Sequence, residues 1–184
     1  MSVILDSNLV NRIKEIFQQE GGAGIDNLFL FTHIPPKRLK NAKSKYAWAM
    51  DNDEAAIILW DDTLFGSGKE GFVLTNKRLY SKETLEAGKF AYLSDIFDIN
   101  IEHKRSSTKI IAKASASTLE IATAMAQNKE NRSALFNILN KTVWLLKNSA
   151  GINQGQTIPA KTCQNCGGHS TPNAVVCEYC NSPL

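Results

Sequence analysis

Gly71-Phe72-Val73-Leu74-Thr75-Asn76-Lys77-Arg78-Leu79-Tyr80 is two apolar runs around a two-residue break. A two-residue turn carrying asparagine fits a tight β-hairpin there. Strand readings extend on both sides of it, over 55–61, 70–75, 78–82, 88–93, 97–102, 108–113 and 118–124. The clearest is Phe97-Asp98-Ile99-Asn100-Ile101-Glu102, where apolar and polar residues alternate strictly, as one buried and one wet face require. Gly66-Ser67-Gly68 separates the first two strands and Arg105-Ser106-Ser107 the fifth and sixth. Gaps this short favour an antiparallel meander over helical crossovers.

Helices flank this block. Residues 128–148 carry Leu135, Phe136, Leu139, Val143 and Leu146 at helical spacing, broadened by Ile138 and Trp144. Asn128 is placed to cap that helix, Glu130 suits its first turn and Lys147 its last. Near the start, Leu9, Val10, Ile13, Ile16 and Phe17 also follow helical spacing. Ser7 is the expected N-cap there, and Gly21-Gly22-Ala23-Gly24 is the stop. Leu28-Phe29-Leu30-Phe31 reads as either a strand or a buried turn, and Pro35-Pro36 opens a second short helix to about Tyr46. The expected organisation is a helical lead-in (1–50), a strand-rich domain with its long helix (51–149), a polar linker (150–160) and a cysteine module (161–184).

The 184 residues are 43% hydrophobic and 21% charged, which excludes wholesale disorder. A net charge of +3 excludes a strongly polycationic nucleic-acid binder but leaves room for a local basic patch. Met1-Ser2-Val3-Ile4-Leu5-Asp6 lacks the basic start of a signal peptide, and no apolar run is long enough to span a bilayer. The expectation is a soluble, cytoplasmic protein.

All four cysteines fall at Cys163, Cys166, Cys177 and Cys180, so no disulfide scaffold holds the rest of the chain. Two residues between cysteines let both thiolates meet one ion from a tight turn, and two such turns close a tetrahedral sulfur site. Soft thiolates favour zinc, with iron the lesser option. Two disulfides and a redox-active Cys-x-x-Cys are weaker readings, the latter because no thioredoxin-like frame precedes the pair. Four thiolates leave no open catalytic position, and His169 is a poor rival to them. Lys161-Thr162-Cys163-Gln164-Asn165-Cys166-Gly167 with Cys177-Glu178-Tyr179-Cys180-Asn181-Ser182-Pro183-Leu184 resembles the short prokaryotic zinc ribbons. Asn181 stands where that family usually has glycine. The resemblance implies zinc in a rubredoxin-like knuckle geometry, in a unit serving structure, protein binding or nucleic-acid binding.

Seven short strands followed by one long helix is the order of a pleckstrin-homology-like barrel, an α+β fold whose helix plugs one open end of a bent sheet. Ile57 through Tyr80, with its Leu-Thr-x-x-Arg-Leu-Tyr ending, resembles bacterial PH-like and GRAM-like domains. Ile34-Pro35-Pro36-Lys37-Arg38-Leu39-Lys40-Asn41-Ala42 resembles the helical lead-in of such proteins. The resemblance implies the barrel and a binding role without fixing the ligand, since the fold hosts lipid, peptide and assembly functions.

Catalytic constellations are poor. Gly66-Ser67-Gly68-Lys69 lacks the first glycine and the hydroxyl residue of a phosphate-binding loop and precedes a strand, so it reads as a hairpin turn. Asp61 and Asp62 are adjacent on a strand and point to opposite faces, so they cannot readily share a proton. His33, His103 and His169 are scattered and read as surface or structural residues. Trp60, Tyr80, Tyr92 and Trp144 read as core or barrel-edge aromatics, with Trp48 partly exposed.

Lys37, Arg38, Lys40, Lys43 and Lys45 crowd one segment, while Lys69, Lys77, Arg78 and Lys82 lie around the first hairpins. Lys37, Arg38, Lys40, Lys43, Lys69, Lys77 and Arg78 form a candidate surface for an anionic ligand. Against it stand Asp51, Asp53, Glu54, Asp61, Asp62 and Glu70, close enough in sequence to cancel the field. The phosphoinositide pattern of eukaryotic PH domains is not matched, because Leu79 follows Lys77-Arg78. The leading expectation is a non-enzymatic adaptor that binds an unidentified protein partner. The alternatives are a peripheral protein of anionic membranes and a nucleic-acid binder acting through the ribbon.

Overall fold

The computed structural model describes residues 5–104, 107–126, 128–149, 161–162, 169–170 and 182. The chain divides into two compact units, Met1–Ser149 and Ala150–Leu184. The first is α+β, with three helices and two antiparallel sheets.

Helix α1 spans Ser7–Gln19 and is capped by Asp6, whose carboxylate accepts the Asn8 amide at 3.0 Å. The cap therefore lies one residue before the expected Ser7. A carboxylate there also opposes the positive end of the helix dipole. Gly21 (φ 73°) ends the helix. A short strand β1, Leu28–Leu30, resolves the ambiguity at 28–31. Helix α2 spans Pro36–Lys45, with proline at its first turn as expected.

Strands β2 (Ala56–Asp61), β3 (Gly71–Thr75), β4 (Arg78–Lys82) and β5 (Lys89–Tyr92) join β1 in a five-stranded sheet of order β1-β2-β3-β4-β5. The β3–β4 hairpin pairs Leu74 with Leu79 and Val73 with Tyr80. Thr75 holds its turn, with Oγ1 accepting the Lys77 and Arg78 amides at 3.1 and 2.9 Å. Asn76 uses its side chain elsewhere, accepting the Ala55 amide at 2.8 Å. Strands β6 (Ile96–Lys104), β7 (Ser107–Ala114) and β8 (Thr118–Ala122) form a separate sheet of order β6-β7-β8.

The seven expected strands are all present, but they do not close into a barrel. A single helical turn at Leu93–Asp95 breaks the ladder between β5 and β6. At the other seam β1 occupies the outer edge of β2, and no backbone ladder joins either strand to β8. Side chains tie that seam instead: Trp60 Nε1 donates to the Ala122 carbonyl at 3.3 Å, and Asp62 accepts the Met125 amide at 2.9 Å.

The five-stranded sheet is covered on both faces, which is why Ile57-Ile58-Leu59-Trp60 is apolar without alternation. On one face Ile58, Trp60, Phe72, Leu74 and Leu79 meet the three-stranded sheet and helix α3, Lys129–Ser149, in the main core. On the other, Leu59, Val73 and Tyr80 pack against Ala42, Tyr46 and Ala47 at the end of α2 and just beyond it. Asn128 caps α3 as expected, accepting the Asn131 amide at 2.7 Å. Lys147 stands in the last turn of α3, as expected. It is buried, donates to the Ile96 carbonyl and lies over the Trp144 ring at 4.4 Å. Burial lowers its pKa, with Asp95 opposing.

In the second unit, β9 (Lys161–Thr162) pairs antiparallel with β10 (His169–Ser170). Cys163, Cys166, Cys177 and Cys180 lie outside the described residues, as does the 150–160 linker. No described helix is long and apolar enough to cross a membrane.

Candidate functional site

The candidate basic residues separate into two groups. Arg78 stands on β4 with Tyr80 two residues on, so both side chains leave the same face of the strand. Its guanidinium is the centre of a closed network. Nη1 donates to Glu54 Oε2 at 3.2 Å, to Tyr80 Oη at 3.0 Å and to the Ala49 carbonyl. Nη2 donates to Asp51 at 3.0 Å and to Tyr92 Oη at 3.0 Å. Glu54 is fully buried and also accepts from Tyr80 Oη (2.9 Å) and Thr75 Oγ1 (2.8 Å). Burial works against the Arg78 charge, yet the two tyrosines and Glu54 together hold its pKa above the ordinary value. Burial likewise pushes the Tyr80 phenol up. Both terminal nitrogens are thus engaged, and the one unpartnered donor, Nε, is buried out of a ligand's reach.

Lys77 pairs with Asp53, and that bond raises the lysine pKa and lowers the carboxyl. Lys82 faces Glu70 at 4.0 Å. Arg38 turns inward from α2, 3.3 Å from buried Asp61 and 2.8 Å from Asn27 Oδ1, with its guanidinium 4.7 Å from the Phe29 ring centre. Arg38 and Arg78 are therefore drawn into the scaffold, and Lys77 is neutralised at the surface by Asp53. Lys37, Lys40, Lys43, Lys45 and Lys69 remain exposed, and none has an ion pair among the described residues.

The 63–69 loop lies against α2. Asp61 organises it, accepting the Gly68 amide at 2.8 Å, the Thr63 amide at 3.1 Å and the Thr63 hydroxyl. Thr63 Oγ1 in turn accepts the Ser67 amide at 2.7 Å. Asn41 on α2 donates to the Ser67 carbonyl at 2.7 Å. Gly66 (φ 61°) and Gly68 (φ 69°) permit the close approach: a Cβ on Gly68 would stand 2.7 Å from the Arg38 carbonyl oxygen. The expected hairpin turn is thus the β2–β3 connection, shaped by Asp61 and glycine. Leu64 and Phe65 project from it, 73% and 91% exposed. A cleft of about 410 Å³ between loop and helix is lined by Lys37, Arg38, Asn41, Phe65, Ser67 and Lys69.

Asp61 and Asp62 face apart, as strand geometry requires. Burial pushes the Asp62 carboxyl up to about 6, against the pull of the Met125 and Ala124 amides and aided by Glu70 and Glu83.

An aromatic shelf on the β5 edge escaped the sequence reading. Trp48 is 66% exposed and meets Phe90 edge-on at 6.0 Å; Phe90 meets Tyr92 the same way at 5.9 Å. The Arg78 guanidinium lies 4.6 Å from the Tyr92 ring centre and 5.4 Å from that of Phe90. Tyr92, expected at a core or edge position, is 44% exposed. The available signal was the Phe90-x-Tyr92 spacing, which puts both rings on one face of an edge strand. Trp48 carried no periodic clue to its place beside them.

His33 and His103 are exposed, and no cluster of three or more metal-binding side chains occurs among the described residues. No family model matches the chain, and no curated protein or solved structure matches it.

Proposed function

We propose that the chain is a non-enzymatic interaction module, a PH-like domain carrying a zinc ribbon, and that the domain binds a protein partner at the aromatic shelf. The shelf of Trp48, Phe90 and Tyr92 is the observation that carries this reading. Tryptophan, tyrosine and arginine dominate the energetics of protein interfaces, and rings already held in place lose little entropy on binding. The Arg78 network supplies that preorganisation from below. The open edge of β5 beside it offers backbone groups to an added strand. Four strands, three strands and a closing helix, taken as β2–β5, β6–β8 and α3, support the PH-like assignment. The strongest acid–base candidates support the non-enzymatic one. Asp61 is tied to Arg38 and the loop amides, and Asp62 faces away from it to the Met125 amide.

The test compares affinity capture from the native cell by wild type and by Trp48→Ala. A protein retained by wild type and lost from the folded variant is the expected result. Capture that ignores Trp48, or no capture at all, overturns the reading.

Zinc is part of the same proposal. The spacing of Cys163, Cys166, Cys177 and Cys180 supports it, as does the β9–β10 ladder, which brackets the first cysteine pair as a knuckle requires. A bound ion would supply the folding free energy that so short a segment cannot gain from a core. About one zinc per chain is expected by elemental analysis of protein purified under reducing conditions. Four freely titratable thiols and no metal would refute it.

A further inference from the structure

The acidic residues that seemed able to cancel the basic cluster are engaged elsewhere. Asp51 and Glu54 hold Arg78, Asp53 holds Lys77, Asp61 holds Arg38, and Glu70 holds Thr84 and faces Lys82. Asp62 turns toward Met125. What remains around the α2 helix and the 63–69 loop is a positive surface of Lys37, Lys40, Lys43 and Lys69. Lys37 and Lys40 lie one turn apart on α2, and Lys43 one turn further.

Apolar side chains project from the same surface. Phe65 lies on the rim of the cleft that Lys37 and Lys69 also line, and Leu64 is beside it. Two large apolar residues at a loop tip sacrifice burial, and here the loop is not free to tuck them away. Asp61, Thr63, Asn41 and the two glycines fix its course against α2. The tip is a preformed projection with Lys37 and Lys69 beside it.

From this juxtaposition we propose that α2 and the 63–69 loop dock on an anionic lipid bilayer, with Lys37, Lys40, Lys43 and Lys69 at the headgroups and Leu64 and Phe65 inserted at the acyl boundary. Each half of the surface answers one half of a bilayer's chemistry. Negative headgroups attract juxtaposed lysines, and the interface accepts the apolar pair. A nucleic acid or an acidic peptide would satisfy the lysines and leave Leu64 in water. This surface is distinct from the aromatic shelf, so the two proposals stand or fall separately.

The full chain is tested by co-sedimentation with phosphatidylcholine vesicles, pure or with about a third phosphatidylserine, at low and high salt. Binding to the anionic vesicles alone, released by salt, is expected. Lys37→Gln/Lys40→Gln/Lys69→Gln should lower the partition on the order of 100-fold at low salt, about fivefold per lysine. Leu64→Ser/Phe65→Ser should lower it about tenfold. In Phe65→Trp, the emission added to wild type should shift to the blue on anionic vesicles. These side chains are exposed, and an unchanged melting temperature confirms folding in each variant. No binding at low salt overturns the proposal, as does equal binding to neutral vesicles. So does an unaltered partition for Leu64→Ser/Phe65→Ser, above all if a short DNA duplex or an acidic peptide binds with the same lysine dependence.

Discussion

Two basic regions of the same domain meet opposite fates. Arg78 is inside a cage of Glu54, Asp51, Tyr80 and Tyr92, while Lys37, Lys40, Lys43 and Lys69 stand in water without a counter-charge among the described residues. The difference follows from side-chain chemistry. The planar guanidinium carries five donors in a fixed fork and sheds water more readily than an ammonium, so it can be desolvated and satisfied at several points together. A lysine ammonium on the outer face of a helix keeps its hydration and its field. Positive charge thus builds the scaffold in one place and presents a surface in the other.

The sharpest way to break that contrast is to remove a counter-charge from the cage. Glu54→Ala leaves Arg78 buried without its fully desolvated partner and strands the Tyr80 hydroxyl, which donates to that carboxylate. The expected loss is about 3–5 kcal/mol in denaturant unfolding, the usual cost of breaking a buried pair from one side. A loss under about 1 kcal/mol would place Arg78 with the surface cations.

Gly68→Ala tests the seam between scaffold and surface. The position has φ +69°, and a Cβ there would press into the Arg38 backbone at 2.7–2.8 Å. Strain and forced retreat of the loop should together cost about 2–3 kcal/mol. The substitution should also loosen the Leu64–Phe65 tip, seen as faster amide exchange at Ser67 and Gly68. Unchanged exchange would mean that the glycines do not set the loop.

Asp62 sharpens the contrast through pH. Its folded pKa, about 6, lies above its ordinary 3.8. Between those values the folded chain binds more protons at this site than the unfolded chain does. Stability from Asp62 is therefore present below pH 3.8 and lost as pH rises through about 6. In Asp62→Asn that part of the slope should vanish, changing the pH 4-to-7 stability difference by about 2 kcal/mol. Parallel pH profiles for variant and wild type would show that the carboxyl is not desolvated.

Much of the fold was legible because it rests on local signals. Alternation at 97–102, the Asn76-Lys77 break and the proline start at Pro36 each act over a few residues. Closure into a barrel was not legible. It depends on whether the chain carries its ladder through Leu93–Asp95, where a single helical turn intervenes. The roles of the basic residues were hidden for a similar reason. Glu54 and Arg78 are 24 positions apart, and the β2–β3–β4 register is what brings them together. Proximity in sequence suggested that Asp51 through Glu70 would neutralise the α2 lysines. Packing instead assigns those carboxylates to Arg78, Lys77, Arg38 and Lys82.

The smallest expected effect is also the one that most directly separates the two regions. Lys40→Gln removes an exposed charge with no ion-pair partner among the described residues. Its folding free energy should change by less than about 0.5 kcal/mol, as for most surface substitutions away from caps and pairs. The sign carries information as well. With neighbouring lysines left unneutralised, their mutual repulsion opposes the folded helix, so removing one should stabilise slightly at low salt and do nothing at high salt. A destabilisation above about 1 kcal/mol, insensitive to salt, would mean that Lys40 has a structural partner and that the α2 face is built like the Arg78 cage. A small gain that salt erases would mark the face as positive potential held at a cost to the domain, which folding alone gives no reason to retain.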